Sequence, residues 1–157
     1  MSCIISAPAT GNGKTTVSLL ISSWAYTKGL KLQTFKVGPD YLDQQQLSSI
    51  GHPICRNLDI FLSGEEWIKK TFFKYACEMD LSLIEGAMGL YDGLGSTDFS
   101  STANVAKVLK LPYVTWTHGG HNHYSLPGWD VTDYRLCQNH ISYGIHLKEI
   151  LKDEKYC

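Results

Sequence analysis

The chain has 157 residues and a formal net charge of -1, with 18% charged and 43% hydrophobic residues. It is long enough for one domain that buries roughly 70% of its unfolded surface, and it lacks the acidic or basic excess that draws nucleic acid or a membrane surface. No apolar run reaches the ~18 residues of a membrane span, and the N-terminus lacks a secretory signal pattern, so a cytoplasmic location is expected.

Residues 3 to 7 are short, apolar and β-branched, the composition of a buried strand. The period then changes. From Lys14 to Lys28 the apolar positions Val17, Leu20, Ile21, Trp24 and Ala25 recur at helical spacing, and Gly29 stands where a positive-φ residue ends a helix. A second strand reads from Leu30 to Val37 and stops at Gly38-Pro39. A long polar, irregular stretch follows to about residue 60, and loops of that length are usually functional.

Ser63 and Glu66 have the spacing of a capping box, which predicts a helix through Trp67, Ile68, Phe72 and Ala76. "LSLIEG" at 81 to 86 predicts a third strand, Ser100 or Ser101 caps a helix carrying Val105, Ala106 and Leu109, and "LPYVTW" restarts strand character at residue 111. The resulting βαβαβαβ alternation, with strands apolar on both faces, predicts a parallel sheet covered by helices on both sides. Five cysteines (Cys3, Cys55, Cys77, Cys137, Cys157) include no C-x-x-C pair, so reduced, packing thiols are expected rather than a disulfide framework or a zinc ribbon.

The loop "ATGNGKTT" carries the G-K-T half of a phosphate loop directly between strand and helix. Counting back from Gly13-Lys14, Pro8 holds the place of the first motif glycine. Backbone N–H groups of Thr10, Gly11, Asn12, Gly13, Lys14, Thr15 and Thr16 would form an anion nest at a helix N-terminus. Lys14 would reach the β and γ phosphates of ATP, and the Thr15 hydroxyl would bind Mg²⁺.

Lys36 and Asp40 stand at the C-terminal end of the second strand and Glu85 at that of the third, on the edge where open α/β sheets bind ligands. Thr15, Asp40 and Glu85 can offer oxygens to Mg²⁺, and Lys36 suits a transferring phosphoryl group or a substrate carboxylate.

Four stretches, "APATGNGKTT", "FKVGPDYLD" (35 to 43), "RNLD" (56 to 59) and "IEGAMGLYDG" (84 to 93), closely resemble the N-terminal synthetase domain of the cobyrinic acid a,c-diamide synthase family. The resemblance runs from about residue 3 to 112. It implies a phosphate-loop NTPase-like, dethiobiotin-synthase-like α/β fold, incomplete here. It also implies ATP-dependent amidation of the a and c acetate carboxylates of cobyrinic or hydrogenobyrinic acid through acyl phosphates.

By that resemblance Lys36 and Asp40 are catalytic, Thr15, Asp40 and Glu85 hold Mg²⁺, and Tyr41, Asp43, Arg56 and Asp92 are substrate-side or loop-ordering groups. Asn57, Asp59 and Tyr91 are weaker candidates. Turn formation alone accounts for "YDG".

The family's ammonia comes from glutamine through a C-terminal glutaminase domain that this sequence is not expected to contain, and a homodimer is compatible with the pattern. Residues 113 to 138 depart from the family, so a single partial synthetase domain is expected over 1 to 157, with similarity returning at 139 to 153. "HGGHNH" (His118, His121, His123) reads as a flexible loop rather than a metal site, and Trp116, Tyr124 and Trp129 as packing rather than a base-stacking platform. The alternatives are a dethiobiotin-synthase-like ligase, an ATPase switch and an inactive nucleotide-binding remnant. Against the switch, Ala9 stands where the related ATPases carry an extra lysine.

Overall fold

The computed structural model describes residues 1–50 and 53–116. The histidines at 118, 121 and 123, Tyr124, Trp129, Cys137, Cys157, the segment 139 to 153 and all but the first residues of 113 to 138 lie outside the described residues.

Five strands, β1 (Ser2–Ser6), β2 (Leu32–Val37), β3 (Arg56–Leu58), β4 (Leu81–Glu85) and β5 (Tyr113–Thr115), form one sheet in the order β3-β2-β4-β1-β5. Every pairing is parallel. The alternation of a strand sorts the side chains between two cores. Ile4, Phe35, Val37, Leu58 and Ile84 point to one face and pack with Ile68, Phe72, Val105 and Leu109, from helices α4 (Glu65–Ala76) and α5 (Thr102–Leu109). Cys3, Ile5, Leu32, Leu81 and Leu83 point to the other, under Val17, Ile21 and Ala25 of α1 (Lys14–Thr27). A sheet covered on both faces follows, which is why its strands read as continuous apolar runs.

Three expectations need correction. The first concerns the face of α1. Its buried stripe is Val17, Ser18, Ile21, Ser22 and Ala25, whereas Leu20 is 66% exposed. Two small serines sit inside because they let the helix approach the sheet, and Ser22 Oγ meets its own helix by donating to Ser18 O at 2.8 Å.

The second concerns the stretch from 38 to 60, whose described residues are not irregular throughout. They hold α2 (Tyr41–Ser48), the edge strand β3 and the start of α3 (Ile60–Ser63). α2 has no apolar stripe to announce it; of its eight residues only Leu47 is buried. It is held by its cap, since Asp40 accepts from Leu42 N and Asp43 N, and by docking on α1 and β2.

The third is the capping box. Ser63 ends α3, and the side chain that caps there is Asp59, which accepts from Leu62 N at 3.1 Å. α4 begins after Gly64, whose φ of 77° makes the sharp entry, with no side-chain cap. Glu66 pairs with Lys69 instead.

At α5 the choice between Ser100 and Ser101 falls to Ser101, whose hydroxyl accepts from Asn104 N at 3.1 Å. Gly29 has the positive φ, 68°, expected after α1. Among the described residues no helix is long and apolar enough to cross a membrane.

Candidate nucleotide and carboxylate site

The strand order determines where the chemistry meets. β4 lies between β1 and β2, and α1 crosses over it to connect them. The C-terminal tip of β4, Glu85, therefore falls between the loop that follows β1 and Lys36 on β2. Lys36 and Glu85 are register partners.

The loop after β1 has the backbone of an anion nest. Gly11 and Gly13 both adopt left-handed φ, 81° and 83°, and Gly13 is the N-cap of α1. Such alternation turns successive N–H groups toward one concavity at the positive end of the helix. Thr10, Gly11 and Thr16 are exposed, Asn12, Gly13 and Thr15 half-buried, and Lys14 buried.

Lys14 Nζ donates to Ala9 O at 3.2 Å and to Met88 O at 2.5 Å. Burial, and then the nearby Lys36 charge, pull its pKa below the ordinary lysine value. It is a cation held by carbonyls, with no carboxylate of its own.

Glu85 is fully buried. Its Oε1 accepts from Thr15 Oγ1 at 2.7 Å and from Lys36 Nζ at 2.8 Å, while Oε2 has no hydrogen-bond partner. Lys36, 2% exposed, also donates to Asp43 Oδ2 at 2.7 Å and to Gly86 O at 3.2 Å, with Asp40 Oδ2 at 3.8 Å. Burial depresses the Lys36 pKa, but the Glu85 charge and the hydrogen bonds Lys36 donates to Asp43 and Glu85 outweigh it, and the net shift is upward. Burial pushes Asp43 up, and the Lys36 hydrogen bond and charge more than reverse it, so its carboxyl sits below its ordinary value.

The structure thus brings together Thr15, Lys36, Asp40, Asp43 and Glu85, with Lys14 on the same rim. Asp43, expected on the substrate side, is inside this cluster; two acids three apart at a helix start, Asp40 and Asp43, were the available signal. Asp92 has a bracing position. Its Oδ2 accepts from Gly89 N at 2.7 Å, and Leu90 N donates to Ala7 O at 2.9 Å, tying the loop after β4 to the loop after β1. A side chain at Gly89 would lie 2.5 Å from Pro8 O, so only glycine permits that approach.

Met88, whose carbonyl receives Lys14, has a left-handed φ of 47° and no signal of that role in its sequence. Asn57 orders the turn after β2 by donating to Gly38 O at 2.6 Å. Tyr41 is 65% exposed, and Asp59 is spent as the cap of α3.

Arg56 is not brought to the cluster. It shares a strand face with Leu58, on the α4 and α5 side, and its guanidinium lies 3.5 Å from the Tyr75 ring centroid. The three cysteines of the described residues are free thiols; burial pushes Cys3 and Cys55 up to about 11, and Cys77 is exposed.

Thr15, Glu85, Asp40 and Asp43 offer oxygens, the donors a hard divalent cation such as Mg²⁺ prefers, and one buried carboxylate oxygen is unpaired; with the Lys36 ammonium among them, no three His, Cys, Asp or Glu side chains of the described residues are arranged to hold a metal ion. A parallel sheet with helices on both faces and a glycine loop leading into its first helix define a phosphate-loop NTPase-like α/β protein.

Comparison with known proteins narrows that class. The chain is 42% identical over 115 residues to a cobyrinate a,c-diamide synthase of Gloeobacter violaceus, 44% over 117 to one of Synechocystis, and 47% over 113 to one of Clostridium acetobutylicum. These matches cover 72 to 73% of this chain, and by them it is a relative of the cobyrinate a,c-diamide synthases. It spans only about a quarter of their length, 24 to 25%. No family model matches.

Proposed function

We propose that this chain is a partial synthetase domain that binds Mg²⁺-ATP and serves ATP-dependent amidation of corrin acetate carboxylates in cobalamin biosynthesis. The observation that carries the reading is the convergence of Lys14, Thr15, Lys36 and Glu85 on one edge of the sheet, in a chain related to cobyrinate a,c-diamide synthases.

The nest between Thr10 and Thr16 receives the phosphates, and Lys14 exchanges its carbonyl partners for phosphate oxygens. Thr15 and Glu85, with Asp40 or Asp43, would hold Mg²⁺, which neutralises charge on the transferring phosphoryl group. Lys36 stands at the tip of β2 beside them, where its charge suits the phosphoryl oxygens or the attacking carboxylate. The carboxylate oxygen attacks the γ phosphorus and ADP leaves. Ammonia then displaces phosphate from the acyl phosphate to give the amide. The protein's part is positioning and charge neutralisation. The ammonia donor would be glutamine, hydrolysed in a glutaminase domain elsewhere in such an enzyme, and the setting cytoplasmic.

Calorimetry with Mg²⁺-ATP tests the first half. Binding is expected in the wild-type chain and about 10- to 100-fold weaker in Lys14→Ala, the worth of one charge-assisted contact. Equal binding by the two proteins, or none by the wild type, overturns the reading. Phosphate release dependent on both ammonia and cobyrinic acid tests the second half.

A further inference from the structure

We propose that Lys36 is the resident counter-ion of the acidic cluster and excludes a divalent cation until a nucleotide arrives, so that metal and nucleotide enter as a unit. This rests on the nucleotide reading above and extends it to the order of binding.

All three protons of the Lys36 ammonium are committed, to Asp43 Oδ2 at 2.7 Å, Glu85 Oε1 at 2.8 Å and Gly86 O at 3.2 Å, with Asp40 Oδ2 at 3.8 Å. An ammonium has three donors, so this one is saturated. It sits among the three carboxylates that a hard cation would use, and at 2% exposure it has little water to screen it.

Thr15 Oγ1 is engaged as well, because the Glu85 oxygen that takes Lys36 also takes its hydroxyl. A divalent ion approaching alone meets a fixed positive charge and an oxygen already shared by two donors. One atom is left for it, the buried, unpartnered Glu85 Oε2.

A nucleotide changes this balance. Its phosphates bring negative charge to the nest beside Lys14, which is near enough for Lys36 and Glu85 to act on the Lys14 charge. Phosphate oxygens then offer Lys36 an alternative partner, and the ammonium can leave Glu85 and Asp43 to the incoming cation. Each charge released from one partner is taken up by another, so the exchange leaves no buried charge unpaired.

The experiment uses the 157-residue chain and Mn²⁺ alone, followed by electron paramagnetic resonance. Lys36→Met, similar in length and uncharged, is expected to bind Mn²⁺ without nucleotide at least about 10-fold more tightly than the wild type, since removing a nearby like charge is worth a pKa-scale unit or more. The wild type is expected to bind Mn²⁺ tightly only with ADP present. Equal Mn²⁺ affinity in wild type and variant overturns the exchange.

Should Lys36→Met not fold in metal-free buffer, Lys36→Gln, whose amide still donates to Glu85, takes its place. A wild-type measurement needs no variant: the ¹⁵N-lysine ammonium signal of Lys36 is expected to stay in place with Mg²⁺ alone and to move with Mg²⁺-ADP. Movement with Mg²⁺ alone overturns the proposal. Failure of ADP to bind the wild type overturns the nucleotide reading instead, in a separate titration.

Discussion

Thr15 and Glu85 are separated by seventy positions in sequence, yet the Thr15 hydroxyl donates to Glu85 Oε1 across 2.7 Å. The same oxygen receives Lys36, so a single carboxylate couples the start of α1 to the tip of β2. Glu85→Ala would take from the buried Lys36 ammonium its one fully buried carboxylate partner, leaving Asp43 at 2.7 Å, Gly86 O at 3.2 Å and Asp40 at 3.8 Å. Breaking a buried pair by removing one partner costs roughly 3–5 kcal/mol, to be read from urea unfolding. Glu85→Gln, which keeps an acceptor and the shape, is expected to lose less. A change under about 1 kcal/mol in Glu85→Ala would contradict a buried coupling.

The helix boundaries near residue 60 make a cheap discriminating pair. Asp59→Ala removes the accepted bond from Leu62 N and is expected to cost about 1 kcal/mol, the usual worth of a cap. Ser63→Ala is expected to stay within about 0.5 kcal/mol, because Ser63 closes α3 and caps nothing. Thermal denaturation of the two variants side by side would reverse this assignment if Ser63→Ala proved the more damaging.

Acid stability follows from Asp43. Its folded-state pKa lies below the ordinary value of an aspartate, 3.8, so the unfolded chain takes up the proton first as pH falls. The contribution is complete above about 3.8 and is lost as pH drops through the depressed folded value. Asp43→Asn lacks this dependence. Unfolding free energies measured through this range should converge as pH falls, and a gap that persists or widens would contradict the Lys36–Asp43 bond.

Trp116 supplies a native reporter. Its backbone N–H donates to Ser6 O at 2.8 Å, and its Nε1 lies 3.7 Å from where a Cβ on Gly13 would stand. Addition of Mg²⁺-ADP is expected to change tryptophan emission in the wild type and in Trp67→Phe, but much less in Trp116→Phe. Gly13→Ala meets only Trp116 Nε1, at the ordinary contact distance of 3.7 Å, but places a side chain at φ 83°, a left-handed conformation costing roughly 1–2 kcal/mol. It is expected to weaken nucleotide binding together with stability.

Much of the fold was legible where a segment carries its own periodicity. β1, β2 and β4 are apolar on both faces because helices cover both sides, and α5 shows its stripe and its serine cap within a few residues. The segment from 38 to 60 was unreadable for the converse reason. α2 buries only Leu47 of its own residues, and β3 is three residues long on a sheet edge, so neither has room for a pattern. Leu20 misled because helical spacing alone does not say that Ser18 and Ser22, rather than a leucine, turn toward the sheet.

By itself the sequence determined the local chemistry: a lysine and threonine entering a helix behind two glycines, a carboxylate closing one strand and another a few residues past the end of a second. Those are short-range facts of spacing, turn geometry and helix polarity. Only the tertiary structure decided which of these groups touch. Placing β4 between β1 and β2 put Glu85 within hydrogen-bond reach of both Thr15 and Lys36, drew Asp43 into the same cluster and sent Arg56 to the opposite face. Strand order is a property of long-range packing, which residue types along one chain do not encode locally.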